Sequence, residues 1–175
     1  MVGFLNPEGI LKSLNIFKPG MRVADLGCGA GYFSIPLAQL VTDQGQVYAV
    51  DVQQHALDLV AQRARQANIT NIELIRANLE KVGSTGLPSG ALDGALLATI
   101  LFQSDKKQEI LKESRRILQD GGFFVIIDWD PQSPIGEGSY KVGKEEAVKL
   151  ATETGFSFQQ EFAVDSYHYG LLFKS

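Results

Sequence analysis

The chain has 175 residues, 45% of them hydrophobic and 21% charged, which suits one globular domain, 1–175, with a sizeable core. A net charge of −4 and a pI near 5.2, with no dense Lys/Arg run, give no electrostatic footprint for DNA or RNA. Cys28 is the only cysteine, the first twenty residues lack a signal-peptide core, and apolar runs such as Ala95–Phe102 are too short to cross a bilayer, so a cytoplasmic protein without membrane contact is expected.

Asn6–Phe17 offers one short N-terminal helix with Ile10, Leu11 and Leu14 on a stripe. Arg22–Leu26 is a short apolar strand that leads into glycines, and Tyr32–Thr42 can form a helix that tolerates Pro36 near its start. Gly45 opens the strand "QVYAVD"; Gln54–Asn68 follows as an amphipathic helix, and "NIELIRAN" is the third strand. Val82–Gly90 reads as a loop, and Ala91–Phe102 holds a buried strand. Ser104 can cap the next helix, whose inner stripe is Ile110, Leu111, Ser114, Ile117 and Leu118. Asp120-Gly121-Gly122 is expected to turn before a fifth strand, Phe123–Asp128. Asp130–Gly143 is the longest irregular stretch, and Lys144–Thr154 is a helix stopped by Gly155. Phe156–Val164 alternates with a period of two, Asp165-Ser166 is a turn signal, and Tyr167–Phe173 returns antiparallel. Repeated βα units followed by a hairpin imply a parallel sheet covered on both faces, closed by one strand running against the rest.

Chemistry concentrates in "VADLGCGAGYF", residues Val23 to Phe33. In an open parallel sheet ligands bind beyond the C-terminal strand ends, where this loop lies. Its spacing, Gly27, Gly29, Gly31 and then Tyr32, departs from the G-x-G-x-x-G dinucleotide fingerprint. Asp25 would repel a pyrophosphate and attract an ammonium, so a free amino-acid end suits this corner. Asp51 ends the second strand and can accept hydrogen bonds from both hydroxyls of a ribose. Asn78 after the third strand can bond an adenine amine, with Val52 and Leu79 on the two faces of the ring. A ribose and an amino acid in one ligand point to S-adenosylmethionine.

On these segments the sequence resembles the class I S-adenosylmethionine-dependent methyltransferases. It is most similar to the small type 11 proteins related to ubiquinone/menaquinone-biosynthesis methyltransferases. "VADLGCGAGYF", "VYAVDV", "RILQDGGFFVI" and "GFSFQQEF…HYGLLFKS" carry the resemblance, which runs from about Val23 to Phe173. It implies an α/β Rossmann-like three-layer sandwich. Its seven-stranded, mostly parallel sheet would run 3-2-1-4-5-7-6 with strand seven antiparallel. It implies a cofactor site of Asp25, Gly27, Cys28, Gly29, Gly31, Asp51, Val52, Asn78, Leu79 and Ala98, with S-adenosylhomocysteine as product. Many relatives carry an acid where this chain has Asn78.

Each residue also has a plainer reading. Asp25 can cap the following turn, and Asp51 can cap the helix ahead of Gln54. Cys28 reads as a small filler, since no neighbouring base or cation would activate it. His55 reads as a surface residue, and the aromatic neighbours of His168 in "YHYGL" suggest packing, with a place facing the pocket as the alternative. The two histidines and one cysteine do not make a metal site. Phe102 and Trp129 follow the fourth and fifth strands, and Tyr140 lies in the long loop. Phe102 and Trp129 are candidates for a substrate wall or for cation–π attraction to a sulfonium, with ordinary rim packing as the plainer reading, and Tyr140 could cover the pocket or be exposed.

Methyl transfer from a sulfonium is an in-line displacement that mostly needs proximity and orientation. "ATILFQ", Ala98 to Gln103, lacks the Asn/Asp-Pro-Pro-aromatic motif of enzymes that methylate planar amide nitrogens, and one cysteine argues against arsenite. The expectation is therefore a small-molecule acceptor. A protein or RNA acceptor and a non-catalytic cofactor-binding module are the alternatives. The short N-terminal segment predicts an open site: either the substrate is bulky, or a second subunit, as in a homodimer, or the Asp130–Gly143 loop closes it.

Overall fold

In a computed structural model, residues 5–133 and 142–175 are described. The elements run α1 (Pro7–Leu14), β1 (Arg22–Leu26), α2 (Ser34–Val41), β2 (Gln46–Asp51), α3 (Gln54–Gln66), β3 (Ile72–Arg76) and β4 (Leu92–Ala98). A 3₁₀ turn (Leu101–Gln103), α4 (Lys107–Ile117), β5 (Leu118–Trp129), α5 (Lys144–Glu153), β6 (Ser157–Ala163) and β7 (His168–Lys174) complete the order. The seven strands lie in the order β3-β2-β1-β4-β5-β7-β6. The first five pair in parallel, and β7 is antiparallel to both β5 and β6. This is the topology that the resemblance implies.

Side-chain alternation sorts the core into two layers. Val23, Val47, Leu96 and Val125 face α1 and α2 and bury Ile10, Leu11, Leu37 and Val41. Ala24, Val50, Leu97 and Ile126 face α4 and α5 and bury Ile110, Leu111, Ala147 and Ala151. Leu57 and Val60 of α3 pack on Ala49 and Cys28. Strands β1, β4 and β5 are central, and stretches such as Ala95–Ala98 and Phe123–Ile127 are continuously apolar because both faces of the sheet are covered there. The register places Asp25 beside Leu96, Leu96 beside Val125, and Trp129 opposite His168. Asp25, Ala98, Trp129 and His168 therefore share the face that carries α1 and α2.

Several boundaries move for local reasons. Asp120-Gly121-Gly122 does not interrupt β5: the Gly121 N–H donates to the Ser175 carbonyl at 3.0 Å and the Ser175 N–H to the Gly122 carbonyl at 2.9 Å. Ser175 thus extends the pairing of β7 with β5, while on the other edge β5 pairs with β4 through an irregularity, Leu118 with Leu92 and Phe123 with Gly94. Gly121 sits at φ 78° with open space around an added Cβ. Gly121→Ala is accordingly expected to cost about 1 kcal/mol, from the left-handed backbone alone, in a urea denaturation curve.

Ser104 does not cap α4, which begins at Lys107; its Oγ accepts from the Lys106 N–H at 2.9 Å and donates to Glu80 Oε1 at 2.6 Å, closing the turn before the helix. The period of two expected over Phe156–Val164 is broken by an irregularity between Phe158 and Gln160. Phe156 lies outside the strand and stacks on Phe124 at 4.6 Å, while Phe158 is left exposed on the edge strand. The Val82–Gly90 loop is pinned to α4 by the buried Glu113 carboxylate. It accepts from Arg116 Nε and Nη2 at 2.8 Å, from Thr85 Oγ1 at 2.5 Å and from the Gly83 N–H at 2.6 Å. Burial alone would raise this carboxyl, but the Arg116, Thr85 and Gly83 hydrogen bonds outweigh it and bring it to about 2.

Candidate active site

Beyond β1 the chain needs backbone that few side chains tolerate. Gly27, Gly29 and Gly31 sit at φ 74°, 50° and 80°. A Cβ at Gly27 would meet Ile100 Cδ1 at 2.2 Å, and one at Gly31 would meet Val60 Cγ2 at 3.0 Å. At Gly29 an added Cβ would meet nothing within 4 Å. Gly27 and Gly31 are therefore set by packing, and Gly29 lies on the open side of the loop.

The loop's amides are committed inside the protein. The Gly27 and Cys28 N–H groups donate to the Val50 carbonyl at 2.8 and 2.9 Å, Gly29 donates to Asp51 Oδ2 at 2.9 Å, and Gly31 donates to the Cys28 carbonyl at 2.9 Å. A phosphate cradle needs such N–H groups free to face its anion. Here they tie the loop to the end of β2.

Asp25 is buried, 2% exposed, and Ser34 Oγ donates to its Oδ2 at 2.5 Å. Burial pushes its carboxyl up to about 6; the Ser34 hydroxyl opposes the rise and the nearby Asp51 charge adds to it. A carboxyl so placed is stabilised by a cation brought beside it. Asp51 is half-buried: Oδ2 takes the Gly29 N–H and Oδ1 the Gln53 N–H at 2.9 Å. It thus holds both the glycine loop and the turn into α3; the helix's N-cap is Gln53, without a side-chain cap, so Asp51 does not cap α3 as its plainer reading expected. Each oxygen keeps a further lone pair for a hydroxyl donor.

A cavity of about 680 Å³ opens beside this corner, within the usual range for a small-molecule site. Of the residues expected from sequence, Asp25, Gly27, Cys28, Gly29, Ala98 and Trp129 line it. Gly31, Asp51, Val52, Asn78, Leu79 and Phe102 do not; Gly31 lines a separate cavity. Val52 is an exposed side chain just past Asp51. Leu79 is buried in the core layer under α4, so little of it remains for a ligand. Asn78 Oδ1 accepts the Glu80 N–H at 3.0 Å, so the turn occupies one of its lone pairs. Phe102 is half-buried in the 3₁₀ turn, away from the cavity. Tyr140 lies outside the described residues. Burial pushes the Cys28 thiol far up, and the Asp25 and Asp51 charges push it further, so it is an inert wall atom.

The cavity also includes residues that the sequence did not single out. Leu5 and Pro7 come from the N-terminal segment, and Tyr32 and Phe33 follow the glycine loop. Thr99 lines the cavity at φ 55°, a strained setting for a β-branched side chain directly after β4. Tyr167 and His168 form the far wall, where the His168 ring lies 4.1 Å from the Trp129 ring, tilted by 38°. His168, read from sequence mainly as a packing residue among aromatic neighbours, thus lines the cavity; Tyr167 had no signal beyond that aromatic cluster. A second cavity, about 550 Å³, lies between α1, α2 and α3, where Arg63 sits 4.2 Å from the Tyr32 ring centroid; it reaches neither Asp25 nor β4. Among the described residues no group of three or more His, Cys, Asp or Glu is placed to hold a metal, and no helix is long and apolar enough to cross a membrane.

Comparison with known proteins converges on this architecture. The chain is 26% identical over 129 residues to a demethylmenaquinone methyltransferase of Geobacillus sp. (strain WCH70), covering 74% of this chain and 53% of that protein. It is 27% identical over 153 residues to the ubiquinone/menaquinone biosynthesis C-methyltransferase UbiE of Vibrio campbellii (strain ATCC BAA-1116), covering 87% and 56%. The chain spans about half the length of these curated relatives. A crystal structure described as a SAM dependent methyltransferase from Aquifex aeolicus superposes with a TM-score of 0.87 at 24% identity, covering 97% of this chain and 89% of that one, which is a likeness of fold. Residues 17–163 match the family described as methyltransferase domain, so the chain belongs to that family.

Proposed function

We propose that the chain binds S-adenosylmethionine in the cavity beside β1 and transfers its methyl group to a small-molecule acceptor. The observation that carries this reading is the pairing of a buried Asp25 carboxyl, raised to about 6, with a glycine loop that leaves open space at Gly29. The residues fit the group. Asp25 receives the ammonium, and Gly29 lets the amino-acid end approach the loop of Gly27, Cys28, Gly29 and Gly31 without a Cβ in its way. Asp51 accepts the ribose hydroxyls, and the exposed Val52 covers one face of the adenine. Asn78 offers its remaining lone pair to the exocyclic amine, and Leu79 contributes the edge of its side chain. Ala98 forms part of the floor. When bound, the cofactor supplies an activated methyl carbon on sulfur. The protein's part is to orient the two reactants and exclude water, an effect worth about 7–11 kcal/mol where alignment is good.

Trp129 and Tyr167 give the acceptor side an aromatic wall, which supports a flat or apolar small molecule over a protein or nucleic acid. The names of the curated relatives lean the same way. Asp51→Ala removes both the ribose acceptor and the tie to Gly29, and is expected to weaken S-adenosylmethionine binding about 10- to 100-fold by calorimetry. A screen of quinols, phenols, amines and thiols with methyl-labelled cofactor tests the transfer. Label is expected in a small acceptor, and tight cofactor binding with no transfer to any class would identify a binding module instead.

A further inference from the structure

We propose that His168, held by Asp165, is the general base of the cavity, and that the acceptor is therefore a phenol or enol that surrenders a proton as it is methylated. This inference rests on the methyl-transfer reading above. Asp165 Oδ1 accepts from the Tyr167 N–H at 2.7 Å, from the His168 N–H at 2.9 Å and from His168 Nδ1 at 2.9 Å, with Oδ2 at 3.0 Å from the same nitrogen. Two backbone amides thus fix the carboxylate, and the carboxylate fixes the ring with its proton on Nδ1. The remaining nitrogen, Nε2, is a lone-pair acceptor, buried without a hydrogen-bond partner; no other described side-chain atom is left so. His168 is 8% exposed and lines the same cavity as Asp25 and Gly29.

A ring needed only for packing has no use for a buried, unpartnered lone pair, whereas a base requires one. The cross-strand pairing of Trp129 with His168 lays the indole against the imidazole and builds an aromatic wall suited to a planar acceptor. The other titratable groups around the ring are Tyr167 in the same turn, Asp130, whose N–H donates to the Tyr167 carbonyl at 2.8 Å, and Asp25, which lines the cavity with it. The Asp128 carboxylate is engaged by the Leu101 and Trp129 N–H groups.

The step balances as follows. The acceptor's X–H proton passes to Nε2, its electron pair forms the X–CH₃ bond, the S–CH₃ pair stays on sulfur, and the imidazolium returns its proton to water. The positive charge of the sulfonium ends on the imidazolium. His168 is the catalytic group, and Asp165 is a positioning residue.

Three readouts test the assignment. In ¹⁵N-histidine NMR, with His55→Gln for assignment, His168 of the S-adenosylhomocysteine complex is expected to carry its proton on Nδ1 at pH 7.5, and Asp165→Asn to mix the tautomers; a proton on Nε2 would overturn the proposal. Diethylpyrocarbonate is expected to acylate His168 in intact protein only slowly, because the free Nε2 is buried, and a ring that never reacts would mean that the cavity does not reach it. On the acceptor that the screen yields, His168→Asn should lower kcat about 10²- to 10⁴-fold with KM and cofactor affinity within about threefold. Added imidazole should partly restore His168→Gly. An unchanged kcat, or a loss confined to KM, would assign the ring to packing. If S-adenosylhomocysteine does not bind, the cofactor reading fails, while the tautomer of the free protein still reports on the dyad.

Discussion

Gly29→Val is expected to fold and to lose S-adenosylmethionine affinity by about a hundredfold or more, a change of about 3 kcal/mol. The substitution places its Cβ where no protein atom lies within 4 Å, so the cost to the fold is mainly that of a left-handed φ of 50°, about 1–2 kcal/mol. The Gly29 N–H still donates to Asp51, so the loop keeps its tie to β2. The new side chain instead enters the space through which the amino-acid end must approach. Gly27→Val is the control, because its Cβ would lie 2.2 Å from Ile100 Cδ1 and the damage there is to packing. Melting curves with calorimetry separate the two: Gly27→Val should melt much earlier, and Gly29→Val should melt within a few degrees of the parent yet fail to bind. Parental affinity in Gly29→Val would mean that the ligand does not pass over this loop.

Asp25→Asn should move stability and affinity in opposite directions. The folded carboxyl titrates near 6 against 3.8 for an ordinary aspartate, which corresponds to about 3 kcal/mol favouring its protonated form. Between those two values the folded chain holds a proton that the unfolded chain has released. Stability therefore falls as pH rises through that window and stays lower above it. The neutral amide escapes this cost, so the ligand-free variant should be more stable than the parent at pH 7.5, by at most about 3 kcal/mol, and equal to it near pH 3.5. It should bind S-adenosylmethionine at least about tenfold more weakly, because the ammonium loses its counter-charge. In the parent, affinity should rise from pH 5 to pH 7 with release of up to one proton per cofactor bound, read from binding heats in buffers of different ionisation enthalpy. A variant both less stable and equally tight would remove Asp25 from cofactor binding and leave it a turn acid held by Ser34.

These two residues were legible because their signal is local. Asp25, the glycine loop and Asp51 occupy consecutive strand ends, and the order of acid, glycines and second acid survives any detail of packing. The sheet order was legible through the closing hairpin and the family resemblance. The rest depends on contacts between distant segments. Leu79 looked like a ligand-facing residue after β3, but the packing of α4 draws it into the core. Ser104 has the chemistry of a helix cap, yet Glu80 recruits its hydroxyl into the preceding turn. Asp120-Gly121-Gly122 has turn composition, and only the hydrogen bonds of Ser175 keep it in the ladder. The His168–Trp129 wall exists because β7 pairs with β5 in one register, which no sequence window reveals. Asp165-Ser166 was legible as a turn; that its carboxylate would also grip an imidazole was not.

The central claim is that the corner formed by Asp25, the glycine loop and Asp51 is built for an amino acid joined to a nucleoside. Isothermal titration calorimetry of the purified chain with S-adenosylmethionine and S-adenosylhomocysteine tests it most directly. One site per chain with micromolar or tighter affinity for both ligands, weakened in Asp51→Ala and lost in Gly29→Val, is the predicted result. No heat from either ligand, or affinities that neither substitution changes, would contradict it.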